Sequence, residues 1–108
     1  MSVLLVGMIL AACSDDPAAK GAALAQDIGC FACHADTSND LAPTLHGLWG
    51  TEVPLADGTT VVADSDYVRR SIVNPLADVV AGWEPRMPFF PLNEDEVDLL
   101  VEYVRSLE

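Results

Sequence analysis

Cys30-Phe31-Ala32-Cys33-His34 places two thiols three residues apart and an imidazole directly after the second. A C-x-x-C-H sequence reads as a c-type haem attachment site. Residues three apart on a helical turn share a face, so each thiol can bond one porphyrin vinyl group. The next residue then points its imidazole at the iron. Covalent attachment holds the group even where a small core grips it weakly. Three other readings compete: a redox thiol pair, a zinc half-site and a structural disulfide. A thioredoxin-like redox pair expects a βαβ pattern nearby, and the sequence has none. Zinc takes four ligands. With Cys13 set apart, the soft ligands are Cys30, Cys33, His34 and His46, and the gap between the two histidines is too long for the usual H-x₃₋₅-H pair.

A haem held by one histidine needs an open site or a second ligand, and a methionine there raises the potential. Met87 is the methionine that follows the motif. It lies in Trp83-Glu84-Pro85-Arg86-Met87-Pro88, between two prolines that stiffen the loop. The competing role for Met87 is core filling. His46, in Pro43-Thr44-Leu45-His46-Gly47, is the rival ligand. It reads better as a structural residue that bridges loops by hydrogen bonds.

The motif sits behind an exported-looking N-terminus. Val3 to Ala12 is an apolar run that ends at Cys13. Ten residues span about half of a ~30 Å hydrocarbon core, so this is no transmembrane helix. Its length suits a secretory signal, although no Lys or Arg precedes it. Leu10-Ala11-Ala12-Cys13 is similar to a bacterial lipobox, in which the cysteine is acylated and becomes the mature N-terminus. The alternative is an ordinary cleaved signal or a frayed terminus. The expected organisation is a lipoprotein signal over 1–12, a lipidated Cys13 with a polar tether over 13–19, and one haem domain over 20–108.

Three helices surround the motif in this reading. Gly21, Leu24, Ala25 and Ile28 form one apolar stripe on a helix over 20–28. A middle helix runs from about Ser65 to Val73, capped by Asp64 or Ser65 and stopped by Pro75. A last helix begins at Asn93, with Glu96 in capping-box position. Its stripe is Val97, Leu100, Val101, Val104 and Leu107. Residues 35–63 are loop-rich, with a tight turn at Ala56-Asp57-Gly58-Thr59 joining two short extended pieces.

The chain has 17 acidic and 5 basic residues, formally −12. Nucleic acid is excluded as a partner, because phosphate contacts need clustered Lys and Arg. Such a surface favours partners with basic patches, unless its charge serves solubility alone. A hydrophobic content of 51% argues against disorder.

These features together resemble class I cytochromes c over roughly 20–108. They are most similar to the cytochrome c domain fused to subunit II of some bacterial terminal oxidases. The matching stretches are Gly29 to His34, Ala42-Pro43-Thr44-Leu45-His46-Gly47-Leu48-Trp49-Gly50, Val53 to Gly58, Ser71-Ile72-Val73-Asn74-Pro75, and Val80-Ala81-Gly82-Trp83 leading to Met87-Pro88. The resemblance implies an all-α fold of three to four helices wrapped on one covalent haem c. It implies that Pro43 offers its carbonyl to the His34 ring, and that Leu45, Ile72 and Trp83 wall the haem. It also implies that the first and last helices cross near Gly21 and Tyr103.

The functional expectation is a one-haem electron carrier or electron-transfer subunit, not an enzyme, with His34 and Met87 on the iron. It would work on the periplasmic side of a bacterial membrane, anchored through Cys13. It would meet redox proteins such as a terminal oxidase or a dehydrogenase. Two alternatives stand beside it. One is a haem peroxidase or gas sensor with a labile sixth ligand; the other is a thiol or zinc protein without haem.

Overall fold

The computed structural model describes residues 15–108. The apolar run 3–12 and the proposed lipidation site at Cys13 lie outside the described residues. The element order is α1 (Pro17–Ile28), a 3-10 turn (Cys30–Ala32), β1 (Glu52–Pro54), β2 (Thr60–Val62), α2 (Ser65–Val73) and α3 (Glu94–Ser106). No helix among the described residues is long and apolar enough to cross a membrane.

Helix α1 begins at Pro17, three residues ahead of the predicted start at Lys20. The reason is local. The Asp16 carboxylate accepts from the Ala18 N–H at 3.3 Å, and Pro17 presets the first helical φ. Pro17, Ala18 and Ala19 are therefore helical rather than part of a polar tether. Gly29 ends the helix at φ 92°, and its N–H donates to the carbonyls of Ala25 and Gln26. A left-handed C-terminal residue of this kind suits glycine, which has no Cβ to clash.

Helix α3 carries the expected capping box. Asn93 Oδ1 accepts from the Glu96 N–H at 2.8 Å, and Glu96 Oε1 accepts from the Asn93 N–H at 3.0 Å. Val97, Leu100, Val101 and Val104 are buried along one face. That face meets α1, and the two backbones touch at Gly21. A Cβ at Gly21 would lie 2.0 Å from the Leu99 carbonyl oxygen and 2.8 Å from Tyr103 Cβ. The crossing thus falls near Gly21 and Tyr103. Ala25, one turn on, is 1% exposed.

Helix α2 closes the third side. Asp64 Oδ1 caps it through the Tyr67 N–H at 2.9 Å, and Pro75 follows its last residues. Tyr67, Val68 and Ile72 are buried. Arg69 pairs with Asp98 of α3, and Arg70 pairs with Asp78 in the loop that follows. The two strands form an antiparallel hairpin with Val53 opposite Val61, a small addition to an otherwise helical chain. Beyond β1, the Ala56 N–H donates to Val79 O and the Ala81 N–H donates to Pro54 O. The loop after α2 is thereby stitched to the hairpin, which fixes where the chain enters 83–87.

The contact at Gly21 gives a test. Gly21→Ala gains helix propensity of roughly 1 kcal/mol, but its methyl overlaps backbone atoms that no rotamer can move. A net loss of about 1–3 kcal/mol in unfolding free energy is expected, read by urea titration of the haem-loaded protein. A variant as stable as its parent would show that the helices do not approach this closely.

Candidate haem site

Helix α1 delivers the attachment motif. After Gly29 the backbone tightens, with the Ala32 N–H donating to Gly29 O and the His34 N–H to Cys30 O, both at 3.0 Å. Cys30 and Cys33 are free thiols, each half-buried. Burial pushes the Cys30 thiol up from its ordinary value, partly opposed by a backbone hydrogen bond.

His34 is oriented by the chain itself. Its Nδ1 lies 2.8 Å from the Pro43 carbonyl oxygen. With a proton on Nδ1 donated to that carbonyl, Nε2 is the nitrogen left with a lone pair for a metal. The Pro43 loop is held in turn by Asn39. The Asn39 Nδ2 donates to Cys33 O at 3.1 Å, while its Oδ1 accepts from the Leu41 and Ala42 N–H groups at 2.7 and 3.1 Å. Its backbone carbonyl accepts from the Trp83 indole N–H at 2.8 Å. One asparagine therefore ties together the attachment turn, the loop that orients His34, and the segment leading to Met87. Sequence reasoning missed it. The available signal was a polar Ser38-Asn39-Asp40 cluster, in which an Asn side chain can stand in for a backbone turn.

Two adjoining cavities, both open to solvent, lie between these segments. Both are lined by His34, Leu45, Leu48, Tyr67 and Met87. The first adds Cys30 and the apolar wall of Ala25, Ile28, Val68, Ile72, Leu100 and Val104. The second adds Pro43 and Trp83, and carries the polar groups Ser71, Asp78 and Arg86. Cys33 is half-buried but lines neither cavity. His46 also lines neither; it is exposed, and its Nε2 lies 3.4 Å from an Asp36 carboxylate oxygen.

The donor set suits an iron porphyrin. A cleft with so largely apolar a lining accepts a flat hydrophobic group. An imidazole nitrogen and a thioether sulfur open onto it, and a thiol stands at its edge. Burial also pushes up the Tyr67 hydroxyl, with the adjacent Ser71 hydroxyl and Arg70 opposing and Asp78 reinforcing. The hydroxyl stays neutral at working pH and adds no charge to the cavity. Among the described residues, no group of three or more His, Cys, Asp or Glu side chains gathers as metal ligands would.

The family model for cytochrome c matches residues 18–108. A search of curated proteins finds no match.

Asn39→Ala removes three side-chain hydrogen bonds, two of them solvent-exposed, and should cost about 1 kcal/mol of stability, the net worth of bonds that water can replace. Asn39→Asp keeps the two accepting interactions and should recover most of that loss. Thermal unfolding of the haem-loaded variants compares them; equal melting points for Asn39→Ala and its parent would remove the residue from this role.

Proposed function

Because the chain belongs to the cytochrome c family, and so has a class I fold with one covalent haem c, we propose that it is an electron carrier or electron-transfer subunit. In this reading Cys30 and Cys33 carry the thioethers, while His34 and Met87 hold the iron. The haem supplies one-electron exchange when bound. The observation that carries the reading is that His34 and Met87 line the same two cavities, with the His34 ring already turned by Pro43.

The chain's own residues set the conditions for that exchange. Pro43 O fixes the His34 tautomer. Pro85 and Pro88 restrict the loop that bears Met87, which limits movement of the sulfur when the iron changes oxidation state. Leu45, Ile72 and Trp83 exclude water, and exclusion of water with a thioether ligand favours a raised potential. With both ligands engaged, no position is open for a substrate, and the protein is a carrier rather than an enzyme.

The partner is a redox protein with a basic docking patch, such as a terminal oxidase or a dehydrogenase. Charge supports this. Lys20, Arg69, Arg70 and Arg86 each pair with a carboxylate of this chain, and the Arg105 guanidinium lies 5.6 Å from the centre of the Trp49 ring. The excess carboxylates dominate the surface field, and such a field speeds encounter with a basic partner at low salt. Leu41, Leu76 and Phe89 are exposed apolar residues beside the cavity-lining segments, suited to a small transient contact. The lipobox-like Leu10-Ala11-Ala12-Cys13 supports anchoring at the periplasmic side of a bacterial membrane.

Production with a cytochrome c maturation system should give covalently bound haem and the weak far-red ferric absorbance of methionine-sulfur ligation. Met87→Ala should keep the haem, lower the potential by on the order of tenths of a volt, within the range that axial ligands span, and allow carbon monoxide to bind the ferrous iron. An unchanged potential would take Met87 off the iron. Ready carbon monoxide binding by the parent protein would favour a peroxidase or gas sensor instead. Cys13→Ser should release the protein from membranes in a cell fractionation; retention would overturn the anchor.

A further inference from the structure

Helix α1 starts one turn before the contact that fixes it. The Asp16 carboxylate accepts from the Ala18 N–H at 3.3 Å, Pro17 presets the first helical φ, and the Lys20 N–H donates to the Asp16 carbonyl at 3.1 Å. Gly21 then rests on the Leu99 carbonyl of α3. The helix is committed to the body of the domain from its first turn and supplies no slack. Lys20 Nζ also lies 3.9 Å from Asp15 Oδ1, so Asp15 lies back toward α1.

These observations bear on how far the haem motif can stand from Cys13. Ser14, Asp15 and Asp16 alone separate Cys13 from Pro17. Four Cα–Cα steps span at most about 14 Å. Helix α1 has 12 residues, a length of about 18 Å at 1.5 Å per residue. With Cys13 acylated at the lipid surface, the end of α1, where the attachment turn begins, lies no more than roughly 30 Å from the bilayer. Charge does not pull the domain lower. Asp15 and Asp16 outnumber Lys20 in this stretch, and the whole chain is formally −12. Anionic headgroups attract basic segments and repel a surface of this charge. The tether, and not adhesion to lipid, sets the height.

We propose that the early start of α1 makes this a short-tethered, stationary cytochrome, which exchanges electrons with a redox protein of the same bilayer whose exchanging group lies in the same thin layer above the lipid. The proposal rests on the reading of Cys13 as the acylated residue. A soluble partner gains nothing from the anchor. A partner in the same membrane gains effective concentration, and that gain falls as a tether lengthens beyond the span it must bridge.

The acylated, haem-loaded protein is bound to vesicles of phosphatidylethanolamine and phosphatidylglycerol that carry a coumarin-labelled headgroup, whose emission the haem absorbs. It is compared with a variant that has about twenty Gly and Ser residues inserted between Ser14 and Asp15, which adds about 25 Å of r.m.s. reach. The parent should quench the coumarin strongly, and the insertion should lower quenching per vesicle-bound haem about twofold or more, with the melting temperature and visible spectrum unchanged. The insertion should also slow oxidation of the ferrous haem by a ferrocenium-headgroup lipid in the same vesicle about three- to tenfold, while oxidation by soluble ferricyanide stays the same. Equal quenching by the two proteins overturns the proposal, by showing that the domain rests on lipid through its own surface whatever its tether. So does a rate with the ferrocenium lipid that the insertion leaves equal or raises. A parent protein that fails to float with the vesicles is a distinct result; it removes acylation at Cys13, and the proposal with it.

Discussion

The near-contact of Gly21 with the Leu99 carbonyl sets the frame for every other part of the molecule. It lets α1 and α3 pack backbone to backbone, which buries Ala25 against Val97, Leu100, Val101 and Val104. The direction of α1 then decides where Gly29 releases the chain, and so where Cys30 and His34 lie. The middle and last turns of α3 supply Leu100 and Val104 to the cavity wall. A side chain at position 21 would push these two elements apart, and both faces of the site would move with them.

The other half of the site is built by loops, and hydrogen bonds do the work that packing does in the helices. Gly47 N–H donates to the Leu107 carbonyl at 2.7 Å, which secures the segment after His34 to the end of α3. Asn39 ties the attachment turn and its own loop to the distant Trp83 segment, and the stitches from Ala56 and Ala81 hold the loop after α2. A long irregular segment is unusual in a compact domain. Here its backbone groups find partners in turns, caps and the short hairpin, while its side chains Leu45, Leu48 and Trp83 face the cavities. In a chain of 108 residues the haem itself supplies apolar bulk that the protein core lacks.

Polar and apolar chemistry are divided across the site. The wall from α1 and α3 is almost wholly hydrocarbon, which holds the porphyrin without adding charge. The wall from α2 and the loop after it carries Ser71, Asp78 and Arg86. Two carboxylate–guanidinium pairs keep that side balanced, so the chain's large negative charge resides on its exterior. In the proposed electron-transfer role, charge outside would steer encounter, and near-neutrality inside would leave the axial ligands to set the potential.

The sequence alone determined what depends on residues close in the chain. The spacing of Cys30, Cys33 and His34, the Asn93–Glu96 capping box, the Asp64 cap, the stop at Pro75 and the α3 stripe from Val97 to Val104 are local rules, and each is present in the structure, while Leu107 falls just past the helix end. The start of α1 was legible too, since Asp16-Pro17 is a cap signal, but the apolar stripe begins later and drew the boundary with it. Tertiary structure decided the rest. Trp83 on the Asn39 carbonyl, Leu99 against Gly21, and Met87 on the same cavities as His34 are all meetings of segments far apart in sequence. Periodicity and caps report what a chain does within a turn or two; which distant groups meet is set by how the helices cross.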